Sequence, residues 1–241
     1  MEPDILPGLY LFPLPLSGSG ADQVWIGDRL REILQNTKLI FAENERTARR
    51  FISSLKLQVR IEEYHLERLD KDSSSTDIQH FLKLLHGEGR ALLMSEAGCP
   101  AVADPGSVLV DACHRNGIRV HPLVGPSSLL LALMASGLSG QCFSFHGYLP
   151  IDKKECAARI RALEQQSARE NRTQIFIETP YRNENLWKML LENLQSKTRL
   201  CFARDLSGKA EEIRQDFVGN WKKEDKVIWD KIPSVFLLMA G

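Results

Sequence analysis

Apolar residues in the first half of the chain gather into short unbroken runs. Leu9–Leu16, Lys38–Ala42, Ala91–Ser95 and Ile118–Val124 read as strands buried on both faces. Between them, apolar positions recur at helical spacing. Gln23–Gln35 sets Val24, Leu30, Ile33 and Leu34 on one side, Arg46–Leu55 predicts a second helix, and Ser107–Arg115 predicts another, ended by Asn116-Gly117. Ser73-Ser74-Ser75 predicts a loop. Thr76 and Gln79 have the spacing of a capping box, starting a helix that runs to His86 and stops at Gly87. Alternating strands and helices predict a parallel sheet with crossover helices.

Beyond Gly125 the pattern changes. A helix over about Ser127–Ala135 leads to a strand at Cys142–Tyr148 and a charged helix from Lys153 to about Gln166. Thr173–Ile177 reads as a strand and Asn183–Asn193 as a helix. Leu200–Leu206, Ile213–Val218 and Ser234–Met239 read as further strands. Strands that follow one another late in the chain predict a mixed or antiparallel sheet. The expected fold class is α/β: two α/β domains, 1–125 and 126–241, with a mostly parallel first sheet and a mixed second one. No repeat or low-complexity segment interrupts the 241 residues.

Composition narrows the chemistry. Hydrophobic residues make up 43% and charged ones 26%, which is ordinary for a globular chain and excludes disorder. Lys and Arg number 31, as do Asp and Glu, so net charge gives no argument for nucleic acid, although a local basic patch stays possible. No run approaches the roughly 18 to 20 apolar residues of a membrane span, and the acidic, proline-broken Met1-Glu2-Pro3-Asp4 is no signal peptide. Five scattered cysteines without a C-x-x-C pair suit reduced thiols in the cytoplasm. Neither they nor the six histidines predict a structural metal.

Four loops carry candidate chemistry. Met94–Gly106 follows a strand and combines glycines, where a ligand can approach the backbone, with prolines that stiffen the loop; a plain stiff turn is the alternative. Val124-Gly125-Pro126-Ser127-Ser128 offers free amides and hydroxyls at a helix start, as ligand donors or as ordinary capping. In Ala42–Arg50, Arg46, Arg49 and Arg50 share a helix face. They form either a phosphate-holding patch or a solvated face neutralised by Glu43 and Glu45. Ile177–Arg182 sets Glu178, Tyr181 and Arg182 just after a strand, residues that singly read as surface polar groups. Gly18-Ser19-Gly20 lacks the third glycine of a dinucleotide fingerprint, and no P-loop or G-x-S-x-G elbow is present. Cys99 lacks an activating base in sequence, which favours a small loop residue over a nucleophile.

In this order the loops resemble the tetrapyrrole methylase superfamily of S-adenosylmethionine-dependent methyltransferases, and most of all its branch that methylates a cytidine ribose of small-subunit ribosomal RNA. That branch carries P-x-P-I-G-N-L, A-E-D-T-R-x-x-R, S-D-A-G-T-P-x-I-S-D-P-G, P-G-P-S-A with A-S-G-L, F-x-G-F-L-P, Y-E-S-P-H-R and R-E-L-T. The corresponding places are Pro13–Leu16, Ala42–Arg49, Ser95–Gly106, Val124–Ser128 with Ala135–Leu138, Phe145–Pro150, Ile177–Arg182 and Ala203–Leu206. The resemblance implies a cleft between two α/β domains that holds S-adenosyl-L-methionine. It implies that Pro13, Ser95, Glu96, Ala97, Gly98, Cys99 and Val102 line the cofactor, with Ser127 and Ser128 at the junction and Ile177, Ala203 and Leu206 from the second domain. It also implies a homodimer.

The departures fall mainly where the substrate is expected. Leu16–Gly20 replaces I-G-N-L, Glu43-Asn44-Glu45-Arg46 replaces E-D-T-R, Glu96-Ala97-Gly98-Cys99 replaces D-A-G-T, and Ile177–Arg182 replaces Y-E-S-P-H-R. The chain ends in the strand Ser234–Met239, where many members carry a further helical extension. A sulfonium methyl is already activated, so an in-line acceptor and a proton acceptor suffice. Glu43 or Glu178 is the expected base, and Arg46 and Arg182 the expected phosphate holders; pairing of these glutamates with the arginines is the alternative. Three functions follow in order: methylation of a ribose 2′-hydroxyl in ribosomal RNA or the small ribosomal subunit, methylation of a tetrapyrrole or other small molecule, and cofactor binding without turnover.

Overall fold

The computed structural model describes residues 5–17, 25–224, 227–229 and 231–241. Its contacts divide into two units, Met1–Ser127 and Ser128–Gly241.

The first unit is a five-stranded sheet ordered β3-β2-β4-β1-β5. Its strands are β1 (Gly8–Leu11), β2 (Leu39–Ala42), β3 (His65–Arg68), β4 (Arg90–Met94) and β5 (Val120–Pro122), and their pairings are parallel. Alternate side chains serve two cores. Tyr10, Ile40, Ala42, Leu92 and Met94 face α1 (Asp28–Asn36) and α2 (Glu45–Ser54). Leu9, Leu39, Phe41, Ala91 and Leu93 face α3 (Ser75–Glu88) and α4 (Gly106–Arg115). Burial on both faces explains why these strands read as continuous apolar runs.

The second unit holds β6 (Phe143–Tyr148), β7 (Thr173–Glu178), β8 (Arg199–Arg204), β9 (Glu212–Phe217) and β10 (Ser234–Met239), ordered β6-β7-β10-β8-β9. The β6–β7 pair is parallel and the other pairs antiparallel, which makes the mixed sheet. Phe176, Phe202 and Phe236 pack on one face with residues of α6 (Lys153–Glu170), α7 (Asn183–Asn193) and the short α8 (Val218–Trp221). The opposite face meets α5 (Ser128–Ser136), which touches β8, β9 and β10.

Several boundaries differ from expectation for local reasons. The ladder of β1 ends at Leu11, because Pro13 and Pro15 have no N–H to donate; beyond it the Phe12 amide still donates to the Leu93 carbonyl at 2.9 Å, and Leu14 pairs with Gly98. Helix α1 begins after Gly27, while Gln23 and Val24 lie outside the described residues. The capping box of α3 is Ser74 with Asp77, not Thr76 with Gln79. Asp77 Oδ2 accepts from the Ser74 amide at 2.7 Å, and its charge favours a helix start more than a glutamine would. At the other end Gly87 stays helical, and the left-handed Gly89 (φ 71°) closes the helix. Strand β3 escaped the apolar pattern, since His-Leu-Glu-Arg at a sheet edge contains a single apolar residue.

Candidate active site at the β2–β4 crevice

In a parallel sheet, neighbouring strands whose exits run in opposite directions leave a crevice at their carboxyl ends. The chain leaves β2 toward one edge, where β3 lies, and leaves β4 toward the other, where β5 lies. The crevice of this unit therefore opens between β2 and β4. The Glu43 amide extends the ladder by donating to the Met94 carbonyl at 3.0 Å. The Glu96 amide donates to Glu43 Oε2 at 3.1 Å, and Asn44 Nδ2 donates to Glu96 Oε1 at 2.9 Å. Asn44 also caps α2, its Oδ1 accepting from the Arg46 and Thr47 amides at 3.1 and 3.2 Å. Two departures from the resembled pattern are thereby one contact: an amide at position 44 gives the carboxylate at 96 a donor where an aspartate would repel it.

Burial pushes the Glu43 carboxyl above the usual carboxylate range. The Glu96 amide pulls it down, and the charges of Asp104, Glu96 and Asp70 push it up again. A half-buried carboxyl raised in this way, at the mouth of a crevice, is suited to take up a proton.

The β4 loop is held in an unusual shape. Ser95 is buried and its hydroxyl donates to the Ala97 carbonyl at 3.1 Å. Gly98 has φ 72° and exchanges hydrogen bonds with Leu14 at 2.9 and 3.0 Å. Ala101 and Ala103 also lie in the left-handed region, at φ 64° and 63°, where a side chain costs about 1–2 kcal/mol. Asp104 offsets that strain, its Oδ1 accepting from the Ala101 and Gly106 amides at 2.9 and 2.8 Å. Its Oδ2 is buried without a hydrogen-bond partner among the described residues, and burial raises its carboxyl while the amides of Gly106, Ala101 and Val102 lower it. Glu96, Ala97 and Val102 are exposed, so this braced loop presents backbone and side chains outward. Pro13 is buried, its ring lying where a Cβ on Gly125 would come within 2.2 Å. Burial pushes the Cys99 thiol up, and Cys99 Sγ contacts the Pro126 carbonyl at 3.3 Å, which argues against a nucleophile.

The arginines of α2 do not act as one patch. Arg49 lies 3.9 Å from Glu45, whereas no acceptor among the described residues engages the exposed side chains of Arg46 or Arg50. Beside them a solvent-open hollow of about 240 Å³ lies among α2, Leu14–Ser17 and Glu96-Ala97.

Glu178 and Arg182 are brought together in the second unit. The Glu178 side chain is fully buried, its Oε1 accepting from the Thr179 amide at 2.7 Å, and its Oε2 lies 3.0 Å from Arg182 Nη2. That contact is ionic and lacks hydrogen-bond alignment, since Oε2 has no aligned donor. The geometry matches the alternative in which a glutamate pairs with an arginine. Ile177 is half-buried, Ala203 fully buried and Leu206 nearly so. Ser127 ends the first unit, and Ser128 opens α5. Sequence reasoning passed over Asp104 as a brace; its place before Pro105-Gly106 at a helix start was the available signal.

No helix of the described residues is long and apolar enough to cross a membrane, and no group of three or more metal-ligating side chains occurs among them. A sequence model of the family described as Tetrapyrrole (Corrin/Porphyrin) Methylases matches residues 25–220. Proteins named Ribosomal RNA small subunit methyltransferase I are similar over most of the chain. The one from Escherichia coli O157:H7 is 34% identical across 90% of this chain and 73% of its own length. That of Vibrio cholerae is 32% identical across 88% and 69%, and that of Bacillus subtilis 31% across 91% and 71%. Among solved structures, the methyltransferase CobJ aligns at TM-score 0.63 with 17% identity, covering 98% of this chain and 95% of its own. Uroporphyrin-III C-methyltransferase of Thermus thermophilus, complexed with S-adenosyl homocysteine, aligns at 0.52 with 14% identity, covering 96% and 97%. At such identities the last two speak to the fold.

Proposed function

The chain belongs to the tetrapyrrole (corrin/porphyrin) methylase family, and we propose that within it the protein is an S-adenosyl-L-methionine-dependent methyltransferase acting on small-subunit ribosomal RNA. The observation that carries the RNA reading is the set of relatives named for that activity, up to 34% identical across nine-tenths of the chain. Tetrapyrrole enzymes resemble it in fold at half that identity.

S-adenosyl-L-methionine supplies an electrophilic methyl on a sulfonium. The β4 loop suits such a ligand in that its braced turns expose Glu96, Ala97 and Val102, while Gly98 and Gly106 hold the loop close against Leu16 and Leu93. We assign cofactor contacts to Ser95, Glu96, Ala97, Gly98, Cys99 and Val102, with Pro13 setting the loop beneath. Ser127, Ser128, Ile177, Ala203 and Leu206 are assigned by the family pattern. Glu43 is the base that takes the 2′-hydroxyl proton, supported by its raised carboxyl at the crevice. Arg46, free of a carboxylate partner, holds phosphate. Glu178 and Arg182 act as a pair that orders the loop after β7. The protein works as a homodimer in the cytoplasm, where its RNA substrate resides.

Transfer of labelled methyl to small ribosomal subunits, naked RNA and uroporphyrinogen, offered in parallel, tests the reading. Label should enter RNA, and Glu43→Gln should slow transfer by about 10²- to 10⁴-fold while cofactor affinity stays near wild type. Label on the tetrapyrrole alone would overturn the RNA assignment. An unslowed Glu43→Gln would remove the base.

A further inference from the structure

The hollow beside α2 has a mixed lining. Leu14 and Phe51 are buried and apolar, and half-buried Pro15 and Leu16 with exposed Ala97 add apolar surface. Arg50, Ser54 and Glu96 are its exposed polar or charged members. Among the described residues Arg50 is the one cation of this lining, and no described carboxylate or carbonyl engages its guanidinium. Arg46 stands one helical turn before it, equally unpaired, so two free guanidiniums track along the same side of α2.

This lining selects among acceptors. A tetrapyrrole bears several carboxylates around its rim and asks for several cations, whereas the described lining of the hollow offers one guanidinium, Arg50, and one carboxylate, Glu96. A nucleotide asks for an apolar surface for one base face, a cation for one phosphodiester and an acceptor for a base amino group. The lining contains each of these. A base inside a duplex cannot reach such a floor; an unpaired or swung-out base can.

Resting on the ribosomal-RNA reading above, we infer that the hollow formed by Leu14, Leu16, Phe51 and Arg50 is a subsite for one unpaired nucleotide of the RNA, its base on the apolar floor and its phosphodiester on Arg50. Arg50 lies outside the A-E-D-T-R-x-x-R pattern, so the subsite is a property of this chain's own residues.

The test is methyl transfer to naked small-subunit ribosomal RNA and to small subunits, measured across salt concentrations for wild type, Arg50→Gln, Arg50→Lys and Leu16→Asp. Arg50 is exposed, so its replacement leaves the fold intact. Arg50→Gln should raise KM for RNA about tenfold, keep kcat within about twofold and leave cofactor affinity unchanged. It should also lower the slope of log affinity against log salt by about one, a change that a merely structural role would not produce. Arg50→Lys should restore the salt slope, and Leu16→Asp, which sets a carboxylate in the same lining, should raise KM for RNA. An unchanged KM and salt slope in Arg50→Gln, with wild type active on RNA, would overturn the subsite alone. No transfer from wild type to either RNA substrate would overturn the ribosomal-RNA reading, and the subsite with it.

Discussion

Replacing Asn44 by aspartate isolates the contact that joins the β2 and β4 loops. The cap of α2 survives, because aspartate accepts from the Arg46 and Thr47 amides as well as asparagine does. What changes is the other side of the residue, where Nδ2 now donates to Glu96 Oε1 at 2.9 Å. Aspartate removes that donor and sets two carboxylates face to face. At about 4 Å the repulsion is about 1 kcal/mol in water and about 4 kcal/mol at an effective dielectric of 20. Glu96 is exposed, so the lower end applies. The lost hydrogen bond adds about 1 kcal/mol, and the negative charge at a helix start returns about 0.5. The expected net loss is about 1–2 kcal/mol, a fall of about 0.5–1 M in the urea midpoint near neutral pH. Repulsion exists only while both groups are ionised, so the pair's folded pKa values rise. The repulsive part of the loss is therefore full above them and fades as pH falls below the ordinary carboxylate range, about pH 4, leaving only the lost hydrogen bond. Asn44→Ser keeps the cap without the charge and should fall less. Equal midpoints for Asn44→Asp and wild type near neutral pH, or a deficit that does not shrink in acid, would refute this account.

Three further outcomes are expected. Gly125→Ala places a Cβ within 2.2 Å of the Pro13 ring and 2.4 Å of its Cβ, and should cost about 1–3 kcal/mol by denaturant titration; Pro13→Gly in the same chain removes both atoms and should recover part of it, and strictly additive costs would contradict the packing. Arg182→Ala strands the fully buried Glu178 carboxylate and should destabilise by about 3 kcal/mol, whereas Glu178→Gln, which still accepts from the Thr179 amide, should cost less; the reverse order in thermal unfolding would contradict the pairing. Burial raises the Cys99 thiol, so iodoacetamide should alkylate it more slowly than a free cysteine near pH 8, and a rate at or above the free-thiol rate would reopen it as a nucleophile.

Most helices and strands were legible because their apolar positions repeat with the period of the element they form. Asn183–Asn193 and Ser234–Met239 were read at their observed bounds, where periodicity and flanking polar residues agree. Boundaries slipped where two signals of equal form compete, as Ser74/Asp77 and Thr76/Gln79 did, or where prolines stop a ladder inside an apolar run. Strand β3 was invisible because its partner β2 holds it by backbone hydrogen bonds, to which its own side chains contribute little pattern.

The sequence alone determined the α/β class, the change from a parallel to a mixed sheet and the loops where chemistry gathers. Each of these follows from local periodicity, or from residues a few positions apart. Only the tertiary structure decided which of those loops share a crevice. Glu43 and Asn44 stand more than fifty positions before Glu96 and meet it because β2 and β4 are neighbours in the sheet. The structure also decided which charges are spent: Arg49 beside Glu45 and Arg182 beside Glu178 are engaged, while Arg46 and Arg50 meet no acceptor among the described residues. Charge in a sequence is only a count; pairing depends on distances set by packing, and packing is settled by the whole chain at once.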